Sequence, residues 1–220
     1  MVFCLGNVSK ASGATVSMRC PACRQIGTFE PAGQDLSWTR EGKAGTLDFG
    51  QRVCPNPKCR AHVFFVYDAR ESRLLETYPA ERIDFDASNI PSAILTTLEE
   101  SITCHANKCF VAAAIMIRRT LEELCHDRGA TGKILKDRIR DLGTKIVIPK
   151  ELLDGLDDLR LLGNDAAHIE SQEYHQVGKE EVEVGIEFTK EVLKAVFQYS
   201  DLLGRLRGLR KTTDRNGDEG

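Results

Sequence analysis

Two periodicities divide the chain. Between residues 14 and 80, ATVSMR, IGTFE, TLDFGQRV and HVFFVYD are short β-branched or aromatic runs separated by Gly, Pro and polar turns, a pattern that predicts hairpins. Residues 31–45 lack such runs and read as a loop, with Trp38 expected to pack back onto the hairpins. After Pro91 the apolar positions recur every three to four residues, which predicts helices. Ile94, Leu95, Leu98 and Ile102 mark the first, with Pro91 suited to its first turn. Phe110, Ala113, Ile117, Leu121 and Leu124 mark a second, ended by Gly129. Ile134, Leu135, Ile139 and Leu142 mark a third, stopped at Gly143. A fourth opens at Ile148-Pro149 and runs through Leu152, Leu153, Leu156, Leu159 and Leu162. From Lys179 to Arg207, two apolar rows that include Val184, Phe188, Val192 and Tyr199 predict a long, broadly buried helix.

The expected fold is therefore mainly α. A four- to five-helix bundle over 91–211 follows a small β unit over 1–80 and a linker over 81–90. The polar residues 212–220 read as a disordered tail.

Four cysteines organise the β unit. Cys20 and Cys23 are spaced Cys-x2-Cys, and Cys54 and Cys59 are spaced Cys-x4-Cys. Two short loops of this length let four thiolates face one ion, so the pattern predicts a zinc ribbon with a structural Zn2+. Four thiolates close the coordination sphere and leave no position for a reacting water. A redox Cys-x-x-Cys would leave the second pair unexplained, and a disulfide framework suits a short secreted chain. His62, just after Cys59, reads as a neighbour of the site rather than a ligand. Cys4, Cys104, Cys109 and Cys125 read as buried free thiols; the Cys-x4-Cys spacing of Cys104 and Cys109 converges poorly along a helix.

Composition narrows the class. The 220 residues are 41 % hydrophobic and 29 % charged, as in a globular protein, and no apolar run has the length to cross a bilayer. The opening MVFCLGNVSK lacks the marks of a signal peptide, so a cytoplasmic protein with reduced thiols and no membrane partner is expected. Residues 1–70 hold nine Lys/Arg against five Asp/Glu, and the remainder 21 against 28. Arg19, Arg24, Lys58 and Arg60 crowd the cysteine loops. They either offset the net charge of a metal tetrathiolate or form a surface for nucleic-acid phosphates. Arg118-Arg119 with Glu122-Glu123 reads as helix-surface pairing, and Arg205, Arg207, Arg210 and Lys211 as a basic surface.

The chemistry-bearing stretch lies on the fourth helix. Arg160, Asn164 and His168 are spaced by four, so a continuous helix displays them on one stripe together with Asp157. A guanidinium to hold a phosphate, an amide to orient it and an imidazole to move a proton make a plausible phosphodiester set. Alternatively, Gly163-Asn164 terminates the helix, or the glycine only admits a neighbouring helix.

With these residues in view, the chain resembles the "domain of unknown function 4145" family from Cys20 to about Leu203. The resemblance rests on the ribbon cysteines, Tyr78-Pro79, Ile90-Pro91, the Ala-Ala-Ile-Met-Ile-Arg-Arg-Thr-Leu-Glu run ending at Glu122, and Leu159-Arg160, Gly163-Asn164 and Ala167-His168. It implies a HEPN-like helical bundle, a class that includes dimeric, metal-independent RNases of phage defence and non-catalytic partner proteins. The HEPN signature sets an arginine and a polar residue before a histidine. Here Gly163 occupies the arginine position and Arg160 lies one turn earlier. Two expectations follow: an endoribonuclease using Arg160, Asn164 and His168 across a homodimer, or a non-catalytic nucleic-acid-binding or protein-adaptor module that dimerises through its bundle.

Overall fold

A computed structural model describes residues 6–11, 13–40, 46–167 and 177–215. The chain divides into two compact units, Met1–Asp84 and Phe85–Gly220.

The first unit is larger in strand content than the sequence pattern suggests. Its strands are β1 (Gly6–Lys10), β2 (Ser17–Arg19), β3 (Ile26–Thr28), β4 (Glu30–Pro31), β5 (Leu36–Arg40), β6 (Thr46–Val53), β7 (His62–Asp68) and β8 (Arg73–Tyr78). Six form one antiparallel sheet in the order β1-β5-β6-β7-β8, with β4 also paired to β6. The hairpin β2–β3 stands apart from it. The expectation of a mainly α chain with a small ribbon is thus wrong; the fold is mixed α and β. The expected loop at 31–45 is wrong for Leu36–Arg40, and residues 41–45 lie outside the described residues. LSWTR is strand β5 because it lies between two others, with Trp38 opposite Val8 on one side and Leu47 on the other. Pairing, rather than propensity, makes such a polar run a strand.

Alternation seals the sheet's core. Val63 and Phe65 of β7 are buried and Phe64 between them is 56 % exposed, as a half-buried strand requires. They pack with Val16, Met18, Cys20, Phe29 and Cys54. Nearby, Arg52 of β6 is buried with Asp35, which precedes β5. Its two terminal nitrogens donate to the two Asp35 oxygens at 2.6 Å, and Nη2 also donates to the Ala14 carbonyl at 2.6 Å. The guanidinium lies 4.3 Å from the Phe65 ring centre.

The second unit holds α1 (Ser92–Ala106), α2 (Phe110–Asp127), α3 (Leu135–Lys145), α4 (Lys150–Ala167), α5 (Lys179–Leu193), a π-helical turn (Lys194–Gln198) and α6 (Tyr199–Arg215). α2 lies against α1, α3, α4 and α5. Its buried Ala113, Ile117, Leu121 and Leu124 meet the core rows Ile94, Leu98 and Ile102 of α1 and Leu156, Leu159 and Leu162 of α4. The side-chain amide of Gln198 donates to the carbonyls of Asp86 (2.9 Å) and Ser88 (3.2 Å). Part of the expected linker is therefore fastened to the helices.

Three helical expectations change. α3 passes through Gly143 instead of stopping there, because a Cβ at that position would lie 2.6 Å from Leu153 Cδ2; the glycine admits α4. The long C-terminal helix is not broadly buried: Val184 is 64 % exposed and Tyr199 43 %. Cys104 and Cys109 do not share a helix, since α1 ends at Ala106, and Cys109 is exposed while Cys125 is buried. Cys4 lies outside the described residues, as does residue 168.

Candidate functional site

The four cysteines come together as their spacing predicts. Cys20 follows β2 and Cys23 precedes β3; Cys54 follows β6 and Cys59 precedes β7. Each pair thus sits at the tip of a hairpin. The two tips share local construction. In the first, the Arg24 amide donates to the Cys20 carbonyl; in the second, the Arg60 amide donates to the Asn56 carbonyl. Arg24 and Arg60, each next after the second cysteine of its pair, take left-handed φ values of 64° and 51°. That conformation turns the chain sharply enough to aim both sulfurs inward.

All four sulfurs lie within 4.8 Å of one another, and the Cys20–Cys59 and Cys23–Cys54 separations are 3.8 and 3.7 Å. A tetrahedral ion with metal–sulfur bonds of about 2.3 Å has sulfur–sulfur edges of about 3.8 Å. The cluster therefore has the size of a tetrathiolate metal site, and these four residues could hold a metal ion. A hydrogen bond from the Gln25 backbone lowers Cys23 to about 7, whereas burial pushes Cys54 up to about 12. A divalent cation offsets the charge that otherwise keeps four such close thiols from ionising together. His62 bonds Gln51 across the β6–β7 pair at 2.9 Å and is not one of the cluster.

The basic residues around the tips carry acidic partners. Arg24 pairs with Asp84 at 2.8 Å, Arg19 reaches the same carboxylate at 3.9 Å, and Arg60 pairs with Glu30 at 2.6 Å. Arg19 also donates to the Arg24 carbonyl at 2.9 Å, which braces the first tip. Lys58 is exposed.

On the helical unit, α4 runs unbroken through Gly163 and Asn164 to Ala167. Arg160 and Asn164 therefore lie one turn apart on one face, and His168 is outside the described residues. All three described members of the stripe are engaged. Arg160 donates through Nε to Asp157 at 2.6 Å, a bond that holds the Asp157 carboxyl below its ordinary range. The Asn164 side-chain oxygen accepts from Arg118 Nη1 of α2 at 2.6 Å.

Arg118 is the residue that sequence reasoning missed. It does pair with Glu122 at 3.4 Å, as its spacing suggests, but its reach to Asn164 crosses between helices. A Cβ at Gly163 would lie 2.5 Å from Arg118 Cβ, so the glycine makes room for the arginine. A glycine inside a helix costs about 1 kcal/mol against alanine, and that cost was the available signal of close approach.

Residues 99–212 match the model of a domain of unknown function, DUF4145. The chain belongs to that family. The DUF4145 span contains Arg118, Arg160 and Asn164 and leaves the four cysteines outside it. No curated protein and no solved structure matches the chain. No described helix is long and apolar enough to cross a membrane.

Proposed function

We propose that the chain is a non-catalytic protein-adaptor module: a zinc-clamped β unit joined to a helical unit that pairs with a second copy through α5 and α6. One observation carries this reading. Tyr199, Leu202, Leu203, Leu206 and Leu209 of α6 are 43–69 % exposed. Four of them follow a three-four-three spacing, the seam along which helices pack. A stripe of this kind left in water marks an interaction surface. Charge supports a second copy as its occupant. α5 carries five Glu against two Lys, and α6 carries five Lys/Arg against two Asp. Antiparallel pairing sets the acidic helix of one chain beside the basic helix of the other.

Zinc suits the sulfur cluster, because four thiolates at tetrahedral spacing make a closed structural site. The test is sedimentation equilibrium of the full chain. A dimer is expected, with Leu206→Glu shifting it to monomer at unchanged helix content. A wild-type chain that stays monomeric across the concentration range overturns the reading.

A second reading, RNA cleavage by a HEPN-like bundle, has its own support. Arg118 supplies a guanidinium beside Asn164, where Gly163 replaces the arginine of that signature. It requires that RNA be cut in the presence of chelator and that Arg118→Ala or His168→Ala abolish cutting. The adaptor reading is preferred because Arg160 and Asn164 already hold protein partners.

A further inference from the structure

The turn between α1 and α2 holds two thiols that neither reading uses. α1 closes through a pair of backbone bonds, Lys108 N–H to the His105 carbonyl and Cys109 N–H to the Cys104 carbonyl, each 2.9 Å. Lys108 between them takes a left-handed φ of 62°. This is a Schellman closure, in which the first and last residues frequently approach each other across the turn. Here those two residues are Cys104 and Cys109.

Distance follows from the same bond. The 2.9 Å hydrogen bond and ordinary backbone dimensions leave at most about 6.8 Å between the two Cα atoms. A disulfide spans separations up to that length. On an unbroken helix, residues five apart would point in different directions, but the end of α1 at Ala106 removes that obstacle. Burial raises the Cys104 thiol, and the charge of Cys109 raises it further. Exposure differs in a useful way: Cys109 is open to solvent and Cys104 is half-covered.

We propose that Cys104 and Cys109 form a reversible oxidation site whose oxidant is a low-molecular-weight disulfide of the glutathione class. The Cys109 thiolate attacks one sulfur of the oxidant, breaking its S–S bond and releasing one small thiolate, which takes up a proton. A mixed disulfide remains on Cys109. Cys104 then loses its proton to solvent and attacks Cys109 Sγ, expelling the second small thiol. Two protein thiols are oxidised by two electrons while one small disulfide is reduced to two thiols. The bond would tie the last turn of α1 covalently to the start of α2. Excess reduced thiol reverses both steps.

The experiment uses the full chain as purified, treated with oxidised glutathione, quenched with acid, alkylated and digested with trypsin without reduction. Trypsin cleaves after Lys108, so the internal disulfide appears as residues 83–108 joined to 109–118. This joined pair is expected to be the main form of Cys109 in the wild-type chain and to separate on reduction. Cys104→Ser should instead trap glutathione on Cys109. Wild-type Cys109 recovered as a stable glutathione adduct with Cys104 alkylated, or both recovered as free thiols, overturns the proposal; neither outcome depends on a variant folding.

Discussion

The two terminal nitrogens of Arg52 grip both oxygens of Asp35 at 2.6 Å, where the side chains are only 1 % and 2 % exposed. This forked pair ties β6 to the approach of β5, and through Ala14 to the chain before β2. Gly50 is part of the same arrangement, because a Cβ there would collide with the Asp35 carboxylate. Removing one partner strands a buried charge, which costs about 3–5 kcal/mol. Arg52→Met should therefore lower the urea midpoint of the sheet unit steeply. Adding Asp35→Leu to it should restore part of the loss, as unfolding curves of the single and double variants will show.

Filling the gap beneath Arg118 tests the contact between α2 and α4. Gly163→Val places carbon where Arg118 Cβ already lies within 2.5 Å of the new Cβ, and overpacking of this kind costs about 1–3 kcal/mol. The same substitution should cost less when Arg118 is already glycine, which removes that Cβ. A double-mutant cycle by urea denaturation measures that coupling.

Metal removal should act on one unit. Chelation is expected to release one ion per chain and to unfold the β unit, because Cys20 and Cys54 are core residues as well as sulfur donors. Helical circular dichroism should persist. Cys54→Ser should abolish tight binding, and acid should promote release as protons compete for the thiolates. Metal content after dialysis, with spectra of both units, checks each point.

His105 gives the helical unit a pH dependence of definite sign. Burial lowers its pKa below the ordinary value, and its Nε2 finds no hydrogen-bond partner among the described residues. The unfolded chain therefore binds the proton more readily than the folded one. The neutral ring's contribution is complete above about 6.5, the unfolded value, and is lost as pH falls through that value towards the folded pKa. His105→Phe should flatten the decline in thermal midpoint between pH 7 and pH 5.

The thiolate cluster and the helical rows were legible because each depends on local spacing. Two loops of fixed length suffice to place four sulfurs, and Ile117, Leu121 and Leu124 announce a buried face by recurrence alone. Strands β1 and β5 were not legible, since GNVSK and LSWTR gain their state from partners far along the chain. Glycines misled for a related reason. Gly143 looked like a helix stop, but its cause is Leu153 on another helix. The apolar seam of α6 was visible in sequence, yet periodicity cannot say whether a row faces its own core or a neighbour. Cys104 and Cys109 were set aside because a three-residue break between α1 and α2 is invisible to residue spacing.

The sulfur cluster draws one pair of donors from each side of the junction between β5 and β6. An ion held there would thus be a second link across that junction, parallel to the peptide bond. A chain supplied as two fragments, divided after β5 and co-expressed, should assemble around the ion and fall apart when it is stripped away.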